Sequence, residues 1–178
     1  MKLVEWDHSP SVTPKLFVIG AFSPVQPINS YMNNLFTYLD NLPKLPEDLI
    51  SEIYESTRVF PNIFQYPNYD YYKKYCVTKK LQSYIQGLFT EKHIIGVQVI
   101  KNKISIHKDF NRTVAYNYII NSGGEHAETC FYNDKYQLIE KHNIEERRWH
   151  RLDVSVFHNV INLVKPRIAL TVSPIMQL

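Results

Sequence analysis

In the run Ile104-Ser-Ile-His-Lys-Asp109 a histidine and an aspartate stand two residues apart. Strand alternation puts Ser105, His107 and Asp109 on one face and Ile104 and Ile106 on the other. An imidazole and a carboxylate so placed at a strand end can hold one cation together, although a solvated strand end has the same pattern. A second signal lies in Leu152-Asp-Val-Ser-Val-Phe-His158, where Leu152, Val154, Val156 and His158 share parity and so share the apolar face of one strand. A histidine that ends such a row is, taken alone, more often a core residue satisfied by a backbone carbonyl than a ligand. Combined with His107 and Asp109 it completes a set of two imidazoles and one carboxylate, which suits ferrous iron and leaves coordination positions open for oxygen chemistry.

A fixed cation follows from the same alternation. If residues 163 to 166 turn between the last two strands, Asn162 lies opposite Arg167, and Arg167 shares the face of His158. The stretch from 158 to 162 spans about 13 Å at roughly 3.3 Å per residue. A metal-bound dicarboxylate and an extended guanidinium fill that gap, the planar fork binding a carboxylate at two points. A surface ion pair is the competing role for Arg167. Ala169, Thr171 and Ser173 share its parity and are small, which leaves room for a ligand.

Other polar residues carry less. His126, His142 and His150 read as exposed loop or turn histidines, because no carboxylate with a matching third group stands at strand or helix spacing from them. Glu125 and Glu128 differ in parity and cannot face one pocket from a regular strand. Glu145-Glu-Arg-Arg148 reads as a solvated charge cluster, and neither a Gly-rich phosphate loop nor a Gly-x-Ser-x-Gly elbow is present.

The elements that must position these residues divide the 178-residue chain near residue 94. Before it, apolar residues at three- and four-residue spacing predict helices over 29–42, 47–57 and 77–89, with Pro43 and Pro46 separating the first two. The aromatic stretch 60–75 reads as a proline-bent packing loop, with stacking on a substrate or on bases as the alternative. After residue 94, short runs of Val, Ile, Tyr and Thr between turn signals predict strands near 95–100, 104–107, 113–121, 128–132, 151–158 and 168–173. Six or more antiparallel strands in that length point to a sandwich or jelly roll, with the helical first half flanking one sheet.

Composition sets the outer limits. The length suits one domain over 1–178 that buries a core without staples, and 44% hydrophobic with 13% aromatic residues exclude a disordered chain. A net charge of +3 is too small to favour a nucleic-acid or acidic-membrane partner. The two cysteines, Cys76 and Cys130, make neither a disulfide framework nor a zinc pair. With Glu5, Asp7 and His8 where a signal peptide would be apolar, and no apolar run long enough to span a bilayer, a cytoplasmic protein is expected.

In order and spacing, His107-Lys108-Asp109, His158 and Arg167 resemble the signature of the iron(II)- and 2-oxoglutarate-dependent oxygenase superfamily: His-x-Asp, a His some tens of residues on, then an Arg or Lys about ten residues after that. The resemblance covers residues 94–174, and the phrases RTVAYNYIINSGGEHAETCFY and RLDVSVFHNVINLVKPRIALTVS are similar to short oxygenases carried by phages and marine bacteria. It implies a mostly β fold with flanking α-helices, built on a double-stranded β-helix (a cupin-like jelly roll). His107, Asp109 and His158 would be the Fe(II) ligands and Arg167 the partner of the distal 2-oxoglutarate carboxylate. Asn117, inward by parity with Ala115, matches a position that touches the cosubstrate; a buried amide satisfied within the sheet is its other role. Tyr116 and Tyr118, of opposite parity, belong to packing.

The implied activity is hydroxylation of an amino acid, a peptidyl side chain or a small metabolite by molecular oxygen, coupled to decarboxylation of 2-oxoglutarate to succinate. The low net charge leaves nucleic acid the least favoured substrate, and no membrane partner is expected. Residues 1–93 match no family and would pack on the sheet and shape the substrate pocket. Two other readings stand beside this one: a non-catalytic jelly-roll binding or virion-associated protein with a vestigial site, and another metal enzyme on the same scaffold.

Overall fold

Alternating apolar and polar residues from His93 onward fold as eight consecutive strands. The structure, a computed structural model, describes residues 34–63 and 72–175. Its elements are β1 (Phe36–Tyr38), α1 (Glu47–Val59), β2 (Tyr72–Tyr75), α2 (Lys79–Leu88), β3 (His93–Ile100), β4 (Ile104–His107), β5 (Val114–Asn121), β6 (Glu128–Tyr132), β7 (Leu138–His142), β8 (Trp149–Asp153), β9 (Phe157–Ile161) and β10 (Arg167–Pro174). They form a six-stranded sheet, β1-β8-β5-β10-β3-β2, and a four-stranded sheet, β4-β9-β6-β7, antiparallel at every pairing. No described helix is long and apolar enough to cross a membrane.

Period two gives the large sheet two different faces. Val97, Tyr118, Ile120, Trp149, Leu170 and Val172 point outward and pack under Leu49, Ile50 and Ile53 of α1 and Leu81 and Ile85 of α2. Glu47 and Asp48 sit in the first turn of α1, where negative charge complements the helix dipole. Thr78 caps α2, its side chain accepting from the Leu81 N–H at 3.2 Å. The inward residues Ala115, Ile119, Leu152 and Ala169 meet Phe131 of the small sheet, with Ile144 and Val154 beside them.

Both helices expected over 47–57 and 77–89 form. The helix expected over 29–42 does not: residues 29–33 lie outside the described residues, and Phe36–Tyr38 is a strand paired with β8, Phe36 opposite Leu152 and Tyr38 opposite His150. Partnership with an open sheet edge overrides helical spacing in so short a segment. The stretch read as a packing loop over 60–75 ends in the strand β2, paired with β3; residues 64–71 lie outside the described residues.

The strand expected over 151–158 is two strands in different sheets. Asp153 accepts from the Ser155 N–H at 3.1 Å and from the Ser155 hydroxyl at 2.6 Å, a local turn that carries the chain from β8 to β9. Nor do 163–166 close a hairpin. β9 belongs to the small sheet and β10 to the large one, so Asn162 does not face Arg167; Arg167 pairs with Ile100 on β3. That crossover is braced by Gly123, whose carbonyl accepts from Val164 N–H at 2.9 Å and Lys165 N–H at 3.1 Å. With φ at +94° and Leu163 Cδ2 standing where a Cβ would sit, position 123 favours glycine.

Two histidines also depart from expectation. His150 is buried in β8, and His142 is half-buried in β7, stacked on Phe36 at 4.2 Å, because each fills an inward or edge position of a sheet. His126 lies in an exposed turn as expected. The cluster 145–148 is on the surface, where Arg148 forks onto Asp40 at 2.9 and 3.0 Å and Arg147 pairs with Glu47.

Candidate metal centre

β4 and β9 are antiparallel neighbours, and their register sets His107 directly opposite His158. The ring centroids are 4.4 Å apart. Each Nδ1 lies 2.9 Å from the carbonyl two residues back in its own chain, Ser105 for His107 and Val156 for His158. A carbonyl oxygen only accepts, so each Nδ1 carries the hydrogen and each Nε2 keeps its lone pair for a ligand. Burial, and then the neighbouring His107, push His158 down to about 4, which keeps it neutral at neutral pH.

Asp109 lies just past the end of β4, held by its N–H on the Val154 carbonyl at 2.9 Å. One carboxylate oxygen accepts from Arg112 Nε at 2.6 Å, and the other is 3.8 Å from His107 Nε2. Arg112 also donates to the Ser173 hydroxyl on β10, so the carboxylate is tied to both sheets. The ligand atoms of His107, Asp109 and His158 all lie within 4.8 Å of one another. Two nitrogens and one oxygen converging from one side could hold a divalent first-row metal with an open hemisphere.

Arg167, 4% exposed, is the first residue of β10 and points between the sheets. Its Nε donates to the Ser122 carbonyl and its Nη1 to the Thr129 hydroxyl, both at 2.8 Å. Its Nη2 is buried with no partner among the described residues. Burial lowers Arg167 to about 10, so the guanidinium stays charged at neutral pH. Thr129 stands opposite Val160, and Val160 is two residues along β9 from His158 on the same face. The guanidinium therefore sits beside a position roughly 7 Å along the strand from the imidazole. An unpartnered N–H in the interior is costly unless a ligand meets it, and a carboxylate reaching from the metal position fits this one.

Asn117 is on the same inner face, buried, its carbonyl oxygen accepting from the Thr171 hydroxyl at 2.7 Å. Tyr118 faces the outer core, and Tyr116 packs beside it. The structure thus brings His107, Asp109 and His158 together and places Arg167 and Asn117 on the interior faces. Sequence reasoning did not find Arg112, Thr129 or the Ser122 carbonyl. Thr129 has a signal, its shared parity with the fully buried Phe131; Arg112 and Ser122 lie in turns, where parity says nothing.

No protein-family model and no curated protein matches the chain. Among solved structures, a prolyl hydroxylase from Trichoplax adhaerens, in complex with a hypoxia inducible factor oxygen degradation domain peptide fragment, superposes with a TM-score of 0.57 at 16% identity, over 80% of this chain and 84% of that one. The fold is a cupin-type jelly roll. Two weaker matches are oxalate decarboxylase from Lactobacillus farciminis in a formate complex (TM-score 0.44, 12% identity, 66% of this chain) and the polyketide cyclase RemF from Streptomyces resistomycificus (TM-score 0.43, 11% identity, 67% of this chain and 75% of that one). The chain spans about a third of the oxalate decarboxylase, 32%. In this jelly roll the histidines and Asp109 lie at one end of the small sheet, with Arg167 deeper between the sheets.

Proposed function

We propose that the chain is an iron(II)- and 2-oxoglutarate-dependent oxygenase, a single domain whose residues 94–174 form a double-stranded β-helix. It would hydroxylate an amino acid, a peptidyl side chain or a small metabolite. The peptidyl class draws support from the peptide fragment held by the prolyl hydroxylase. Both cysteines are free, in keeping with a cytoplasmic enzyme. His107 and His158, through Nε2, and Asp109, through its carboxylate, would hold the iron. When bound, iron and 2-oxoglutarate supply oxygen activation and hydroxylation of a C–H bond, with release of succinate and carbon dioxide.

This chain's residues prepare the place. The Ser105 and Val156 carbonyls fix the imidazole tautomers, and Arg112 aims Asp109. Arg167 offers its open Nη2 to the distal carboxylate, Thr129 holds the guanidinium in that pose, and Asn117 faces the cosubstrate from the neighbouring strand. Phe131 and Ala169 keep water from the interior. The observation that carries the reading is the orphaned Nη2 of Arg167, whose guanidinium is bonded to Thr129, opposite Val160 and so two residues along β9 from His158.

Succinate release from 2-oxoglutarate with added ferrous iron is the direct test. Wild type should turn over, while His107→Ala and Arg167→Ala should not. Equal release by wild type and His107→Ala defeats the proposal. Anaerobic titration showing no metal-dependent 2-oxoglutarate binding would favour a binding protein with a vestigial site.

A further inference from the structure

One inward-facing cation, within the electrostatic reach of Asp109 and Arg112, has no part in the proposed function. Lys74 is on β2, at the edge of the large sheet, opposite Gln98 on β3, which stands opposite Ala169 on β10. Cross-strand partners point to the same side, so Lys74 faces the interior with Ala169. Its stem lies across Gly96: a Cβ built there would sit 2.7 Å from Lys74 Cε and 3.4 Å from its Cγ. Gly96 stands opposite Thr171, and Thr171 opposite Asn117, so the lysine stem lies on the inner face of the large sheet in the row of those two polar residues. Its backbone is fixed on both sides, by the Asn62 side chain at 3.0 Å and the Ile63 N–H at 2.8 Å.

The charges nearby do not neutralise it. Asp109, the carboxylate that acts on it, is engaged by Arg112 at 2.6 Å and lies 3.8 Å from His107. Lys74 has no ion pair or side-chain hydrogen bond among the described residues. Burial and then the Arg112 guanidinium hold its ammonium below the usual lysine value, with Asp109 opposing. Arg167 lies deeper and, on the proposed function, is taken by the cosubstrate. A half-buried ammonium without a counterion among the described residues, with a glycine making room for its stem, is a site for an anion that arrives from outside.

We propose that Lys74 is the specificity-determining residue of the pocket and that the substrate carries a carboxylate, which Lys74 binds. The word substrate rests on the oxygenase reading; the anion site does not.

The test uses the full chain with its lysines reductively methylated with carbon-13, which keeps their charge and gives each an NMR signal. Lys74 is assigned by its absence in Lys74→Arg. The probes are propionate and its uncharged isostere propionamide. Propionate should shift the Lys74 signal saturably, in wild type and in Arg167→Ala, while propionamide binds at least tenfold more weakly. Gly96→Ala, which displaces the stem and keeps the Lys74 signal, should weaken propionate at least tenfold. No saturable shift, an equal response to propionamide, or a response that disappears in Arg167→Ala would each overturn the proposal. Manganese uptake, followed by water relaxation on the same samples, reads the metal centre separately. If wild type takes up no manganese the oxygenase reading fails, and the anion site stands or falls on its own result.

Discussion

The two faces of the six-stranded sheet are made by the same strands and do different work. Along β10, Ile168, Leu170 and Val172 face the helices, while Arg167, Ala169, Thr171 and Ser173 face the other sheet. The outer face is a continuous apolar layer. The inner face buries Asn117, His150, Arg167, Thr171 and Ser173 among small residues. Burying polar groups forgoes hydrophobic stabilisation and is tolerated where they are paired or await a ligand. The helix-covered face therefore carries stability, and the inner face trades it for a site.

Substitutions on the two faces should separate these roles. The largest effect belongs to Trp149→Ala on the outer face, where an aromatic packed against Tyr118 and donating to the Pro43 carbonyl is lost. Urea denaturation should show a loss of about 3–5 kcal/mol, with manganese affinity unchanged under native conditions. On the inner face His158→Ala should do the reverse: manganese affinity falls by more than about a hundredfold, beyond what loss of an outer partner costs, while the urea midpoint moves little. A large stability loss there would mean that the imidazole is chiefly a core residue.

Acid should weaken the inner face selectively. Burial pushes His150 down to about 3, against about 6.5 in the unfolded chain. The unfolded chain therefore binds a proton that the folded chain refuses, and stability present above pH 6.5 is lost as pH falls toward 3. Between pH 6.5 and 5 this residue alone removes about 2 kcal/mol. Denaturation midpoints across that range should flatten in His150→Phe, and an unchanged slope would show that His150 titrates normally. The smallest effect on stability is expected for Arg167→Met: replacing a buried charge with a shape-compatible apolar chain should be neutral or stabilising by about 1 kcal/mol, while 2-oxoglutarate binding is lost. A marked destabilisation would mark Arg167 as a structural ion.

Much of the site was legible because parity survives errors of topology. The alternation of Leu152, Val154 and His158 predicts one unbroken strand, yet the chain turns at Asp153 and changes sheets. The turn preserves the alternation, so His158 faces inward from a different strand than expected. Arg167 likewise reaches the interior without the presumed hairpin, since β10 alternates strictly on its own. What was not legible is pairing. Phe36–Tyr38 takes its conformation from β8 and Tyr72–Tyr75 from β3. Neither partner is near in sequence, so local spacing could reveal neither β1 nor the inward Lys74. The double role of Arg112, with Asp109 three residues away and Ser173 on β10, likewise depends on a long-range contact.

The first half of the chain supplies both outermost strands of the large sheet, β1 against β8 and β2 against β3. A truncated chain beginning at residue 94 would keep every proposed iron ligand and bare the backbone donors and acceptors that β8 and β3 now pair with β1 and β2. Such rims template self-association, so that fragment should precipitate or form intermolecular sheets before its chemistry could be assayed.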